Sequence, residues 1–148
     1  AVPAARVVGE SGIVYALDRK EKQLFAIRER IEGKDIEKRV YLIKTNDDPD
    51  FSGIGRKSLD AVFVFDVLQH VKDWNQLFNE CGGVLKKEGR LHINASELSH
   101  PGRVDVSRVE YVLRNHDFRR LDKRRMRLMH YRRMRTDIVR TYGFRSRV

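Results

Sequence analysis

Cysteine is nearly absent from this sequence. Cys81 is the only one, so no internal disulfide can form, and with no Cys/His cluster around it there is no basis for a structural zinc site. No stretch approaches the roughly 20 apolar residues of a membrane span. Residues 1–8 contain Pro3 and Arg6 and are too short for a secretory signal. Internal repeats and low-complexity linkers are missing as well. These absences lead to an expectation of a cytoplasmic protein without a bound metal. What is present, 41% hydrophobic and 35% charged residues in a chain of 148, suits a soluble globular fold rather than a disordered one, and a single domain over residues 1–148.

Acidic residues are scarce in one place only. Residues 119–148 hold twelve Lys or Arg and two acids, whereas the preceding residues hold nineteen of each sign. The net charge of +10 therefore belongs entirely to the C-terminal end. Such a concentration suits RNA or another polyanion, with Arg125, Arg127 and Arg133 as the contact candidates. The alternative is a solvated face, or arginines paired with acids such as Asp105, Glu110 and Asp117.

Along the chain, residues 1–8 read as the last turns of a helix, ended by Gly9 and Gly12. Residues 13–18 form a short β-branched and aromatic run, as in a strand buried on both faces of a parallel sheet. Leu24, Ile27 and Ile31 recur at helical spacing among charges, and Gly33 stops that helix. A second strand is expected near 39–44. The run 59–65 is the most apolar of the chain and reads as a central strand. Trp74, Leu77, Phe78, Cys81 and Leu85 mark a helix over about 73–86, and Gly89 turns the chain into a strand near 89–95. After Pro101-Gly102 comes a helix with Val106, Val109, Val112 and Leu113 inward. Two long strands, about 118–131 and 133–142, then lie close enough to form an antiparallel hairpin, in which alternation groups Met126, Leu128 and His130 on one face and Arg125, Arg127, Met129 and Tyr131 on the other. The expected fold class is α/β, mostly parallel with a C-terminal antiparallel hairpin.

The stretch LDAVFVFDVLQHVKDWNQLFNECGGVLKKEGRLHI, residues 59–93, resembles a pattern of the Rossmann-like (class I) S-adenosylmethionine-dependent methyltransferases. That pattern is an aspartate-led apolar strand, a "leHv-D" turn, a helix ending in "R-VLKPGG" and a further apolar strand. Lys87 and Glu88 stand where the family usually has Pro-Gly. Upstream, AARVVG and VYALDRKEKQL are similar to the family's first helix, second strand and acidic strand end. The resemblance covers most of the chain. It implies S-adenosylmethionine as cofactor and methyl transfer to an acceptor that the sequence does not identify.

In open α/β sheets the ligand lies beyond the C-terminal ends of the strands. The resemblance implies that Asp18 binds the ribose diol and that Arg19 flanks the adenine; as a plain residue, Asp18 also suits a helix N-cap. Asn46 and Asp47 stand where the family meets the adenine amine, and an Asx turn before Pro49 is the competing reading. Phe65 and Asp66 fall at the methionine end of the cofactor and the start of the substrate pocket. His70 matches the histidine of the "leHv" turn, as pocket wall or general base, or as a packing histidine. Phe65-Asp66-Val67-Leu68 in place of an Asn/Asp-Pro-Pro-Tyr tetrapeptide speaks against amino-methylation of a DNA base.

The family's first strand and glycine-rich cofactor loop are not found in these residues. Gly53-Ile54-Gly55 does not follow a strand or open a helix and fails the test for a nucleotide loop. A chain that begins after that loop, or one with a rearranged sheet, is expected. Loss of a central strand would leave two rows of unpaired backbone groups, which direct pairing of the flanking strands or self-association through the exposed sheet edges would repair.

Overall fold

Leu24, Ile27 and Ile31 do share one side of a helix in the computed structural model, which describes residues 1–47, 49–94, 104–130 and 133–145. Expectations for Asp48, residue 95, Pro101-Gly102, the side chain of His130, Tyr131 and residues 146–148 fall outside the described residues. The chain divides into two compact units, Ala1–Asp47 and Asp48–Val148.

The first unit contains α1 (Val2–Val7), β1 (Val14–Asp18), α2 (Glu21–Ile31), a 3-10 turn (Glu37–Arg39) and β2 (Val40–Lys44). Gly9 and Gly33 follow the two helices with φ of 76° and 69°, a left-handed conformation that costs glycine little. β1 and β2 pair in parallel, Val14 opposite Val40 and Asp18 opposite Lys44. Ala5, Ala16, Ile31, Ile36 and Val40 form the core, with Val2, Val14, Ile27 and Leu42 packed against it. Burial of β1 on both faces is not observed. Ala16 alone is buried in that strand, and on the other side Tyr15 meets the half-exposed Tyr41 with ring centroids 5.5 Å apart.

The second unit contains β3 (Leu59–Val64), a 3-10 turn (Leu68–His70), α3 (Trp74–Val84), β4 (Leu85–Asn94), α4 (Val106–Asn115), β5 (Phe118–His130) and β6 (Arg133–Phe144). Its sheet runs β3-β4-β6-β5, parallel between β3 and β4 and antiparallel from there on. Asp73 caps α3 by accepting from the Gln76 amide, and Asp105 caps α4 by accepting from the Ser107 and Arg108 amides. α3 buries Leu77, Phe78, Cys81 and Val84, and α4 buries Val109, Val112 and Leu113.

Three expectations change here. Among the described residues β3 stands at the edge of its sheet, with β4 as its one hydrogen-bonded neighbour and Phe63 59% exposed, rather than at the centre. α3 ends at Val84, and β4 starts at once at Leu85. The turn expected at Gly89 is instead a bulge inside β4, because Leu59 faces Leu85 while Ala61 faces Arg90. A Cβ on Gly89 would stand 2.9 Å from the Lys86 carbonyl oxygen and 3.1 Å from that of Leu59, so the bulge closes only around glycine. β1 and β3 belong to separate sheets.

Candidate functional site

The first unit gathers four of the candidate residues at the C-terminal ends of β1 and β2. Asp18 ends β1, and its Oδ1 accepts from the Lys20 amide at 2.8 Å. Lys20 itself occupies the N-cap position of α2, so Asp18 braces the turn before the helix rather than capping it. Its second carboxylate oxygen takes no hydrogen bond from a described residue. Arg19 donates to Asp47 Oδ1 at 2.8 Å across the gap between the two strand ends. Thr45 N, donating to the Asp18 carbonyl at 3.1 Å, fixes the loop that carries Asn46 and Asp47. Together Arg19, Lys20, Lys44, Thr45, Asn46 and Asp47 line an open cavity of about 450 Å³. The Arg19–Asp47 ion pair is solvent-exposed and contributes little to stability. Its consequence is geometric, because it fixes a guanidinium plane beside that cavity.

The second unit places Phe65, Asp66 and His70 after the end of β3. Asp66 has φ of 55°, a left-handed conformation that aspartate tolerates better than most residues. Asn94, buried at the end of β4, holds it from both sides: Asp66 N donates to Asn94 Oδ1 at 2.7 Å, and Asn94 Nδ2 donates to Asp66 Oδ1 at 2.9 Å. The same Nδ2 donates to Asp137 Oδ2 of β6 at 3.0 Å. Asp137 is buried and also accepts from the Ile138 amide at 2.7 Å. Asn94 and Asp137 were missed in the sequence. The available signal was a polar residue ending an apolar strand, at the sheet end where ligands bind, and a lone acid among arginines.

Phe65 packs edge-on against Phe63, with centroids 5.6 Å apart and planes at 85°. His70 lies in the 3-10 turn and is exposed, which removes the packing reading. Trp74 Nε1 donates to the Leu68 carbonyl at 3.1 Å and ties that turn to α3. Behind Phe63, His92 stacks at 4.7 Å and 15°, with Nδ1 3.0 Å from Thr141 Oγ1. Burial, and then the charge of Arg90, push the His92 imidazole below its usual pKa.

The hairpin registers Arg125 with Ile138, Arg127 with Thr136 and His130 with Arg133. Cross-strand partners share a face, so Arg125 and Arg127 lie on one face and Arg133 on the other. Of the three contact candidates, Arg133 therefore stands apart from the other two. Along 123–127 every residue is exposed, and among the described residues β4 pairs with β6 only over Val139 to Tyr142, so the outer part stands as a two-stranded ribbon. At its base Arg120 does pair with Glu110, at 2.6 Å, and Glu110 also accepts from the Tyr142 hydroxyl at 3.3 Å. Among the described residues there is no group of three or more His, Cys, Asp or Glu able to hold a metal ion. No described helix is long and apolar enough to cross a membrane.

Residues 2–93 match the family model described as a methyltransferase domain. Among solved structures, a SAM-dependent methyltransferase from Aquifex aeolicus superposes with a TM-score of 0.75 at 17% identity, over 95% of this chain and 74% of its own. One from Methanosarcina mazei gives 0.69 at 12% identity, over 95% and 84%. The [4+2]-cyclase SpnF gives 0.68 at 16% identity, over 83% of this chain and 48% of its own. At such identities the likeness speaks to the fold alone, and a cyclase among these neighbours illustrates that a fold does not settle a reaction. No curated protein matches the chain.

Proposed function

Because the chain belongs to the methyltransferase-domain family, with S-adenosylmethionine as its cofactor, we propose that residues 1–148 act as one such domain and methylate an acceptor at the C-terminal ends of its strands. The observation that carries this reading is the carboxylate at the end of β1, with one oxygen committed to Lys20 and the other available. A ribose diol presents two donors to such a group. The donor set thus fits the adenosine half of the cofactor. Asn46 and Asp47 offer acceptors to the adenine amine, and Arg19, held by Asp47, flanks the ring. Phe65 and the Asp66 backbone, locked by Asn94, serve the methionine end, and exposed His70 borders the acceptor as wall or base.

The cofactor supplies a methyl group already activated by the sulfonium. What remains for the protein is to exclude water and to hold donor and acceptor in line, so no catalytic dyad is required. Among the described residues, no strand followed by a glycine-rich loop is found: 51–57 form turns that lead straight into β3. The test is calorimetry with S-adenosylhomocysteine on this chain and on a chimera preceded by the strand and glycine-rich loop of a related methyltransferase. Binding by either supports the reading, and binding by neither removes it. In the binding form, Asp18→Asn is expected to weaken affinity by about 1.5–3 kcal/mol, the range for hydrogen bonds to charged groups. Unchanged affinity would assign Asp18 to its turn alone.

A second reading keeps the α/β body as a scaffold and assigns function to the basic hairpin, as a contact for RNA or another polyanion. It draws on the exposure of Arg125, Arg127 and Arg133. Cytoplasmic location belongs to both readings. So does self-association through the edges of β1 and β3, each of which has one hydrogen-bonded neighbour.

A further inference from the structure

The last described residue of β4, Asn94, faces Val139, so β6 residues 133–138 and their β5 partners lie beyond every described rung of the β4 ladder. The ribbon therefore projects from the end of the sheet at which α/β proteins place their ligands. Its two faces differ in charge. The register puts Lys123, Arg125, Arg127 and Met129 of β5 on one face with Met134, Thr136 and Ile138 of β6, and this face carries no acid. The opposite face mixes Arg124, Arg133 and Arg135 with Asp122 and Asp137, and Arg124 pairs there with Asp122.

We propose that the acid-free face, centred on Arg125 and Arg127, binds a single-stranded nucleic acid. The two guanidinium groups stand two residues apart on one strand, roughly 7 Å along it, and neither forms an ion pair with a described residue. Arginine forks suit phosphate oxygens, so a row of them follows a phosphate chain. Met129 and Met134 face each other at the outer end of the same face and are 61% and 47% exposed. Two polarizable thioethers form a surface for an aromatic plane. Unstacked bases of a single strand can lie on that surface, whereas a duplex keeps its bases stacked inside. Contact through phosphate and base plane does not read base edges and is sequence-tolerant.

This inference shares the hairpin with the second reading above and does not need methyl transfer. Its test contains no cofactor, so its failure leaves the methyltransferase reading untouched. Anisotropy of a fluorescein-labelled single-stranded RNA of mixed sequence is followed across a salt series on the whole chain. Affinity should fall steeply with salt, and the double variant Arg125→Gln/Arg127→Gln should reduce the log–log slope by about 1.4, at about 0.7 per phosphate contact. Arg133→Gln, on the other face, should change the slope by much less. Met129→Ala/Met134→Ala should weaken binding several-fold with the slope unchanged. Circular dichroism on each variant confirms that the fold is retained. A labelled single-stranded DNA shows whether the sugar matters, and binding of either sugar supports the proposal. It is overturned if no strand binds at low salt, if the double variant keeps the parent slope, if Arg133→Gln lowers the slope as much, or if duplex DNA or phosphatidylserine vesicles bind more tightly than the single strands.

Discussion

The surroundings of His92 favour the uncharged form of its ring. It stacks on Phe63 and contacts Thr141, and burial together with Arg90 lowers its pKa. In the unfolded chain the same group titrates near 6.5. As pH falls through that value the unfolded state takes up a proton before the folded state does, so stability present above about 6.5 is lost on acidification until the folded group also protonates. The urea midpoint should therefore fall as pH drops below 6.5, and His92→Gln should flatten this part of the profile. An unaltered profile in the variant would mean that His92 does not contribute. Cys81 lies at the opposite extreme, a thiol pushed up to about 12 by full burial and, secondarily, by Glu80, and is inert as a nucleophile at neutral pH.

Elements were more legible in the sequence than their surroundings. Leu24, Ile27 and Ile31 announce α2, and Val109, Val112 and Leu113 announce α4, because helical periodicity is a local property. Strand position is not local. The apolar run of β3 looks central, yet its ladder has one neighbour, and nothing within those residues reports what pairs beside them. The bulge in β4 was half visible: Gly89 was singled out, but residues 86–89 remain within the strand while Lys86 pairs with Asp60 at 2.7 Å. Gly89→Ala places a methyl group against two backbone carbonyls that cannot rotate away. Its expected cost is about 1–3 kcal/mol, read as a lower urea midpoint with an unchanged m-value. A variant as stable as the parent would show that the bulge relaxes freely. The candidate site divides in the same way. Asp18 and Asp47 stand at strand ends that can be read from the sequence, whereas Asn94 and Asp137 meet only through the antiparallel register of β4 and β6.

At the scale of the whole molecule, two properties act in opposition. Strand edges at β1 and β3 that no described strand pairs with, the latter with Phe63 largely exposed, favour addition of another chain. The net charge of +10, concentrated in residues 119–148, makes identical chains repel. Repulsion between exposed charges is screened as ionic strength rises, with a Debye length of about 10 Å at 0.1 M and about 3 Å at 1 M, while backbone pairing is screened much less. Self-association through the edges should therefore strengthen with salt, opposite in sign to nucleic-acid binding by the ribbon. Sedimentation velocity over a concentration series at low and high salt reads this directly. Phe63→Lys places a charge on the β3 edge and should shift the chain toward monomer at both salts, by an association free energy of order 1 kcal/mol or more. A chain that stays monomeric throughout, or one whose association the lysine leaves unchanged, would show that the β3 edge is not what joins the copies.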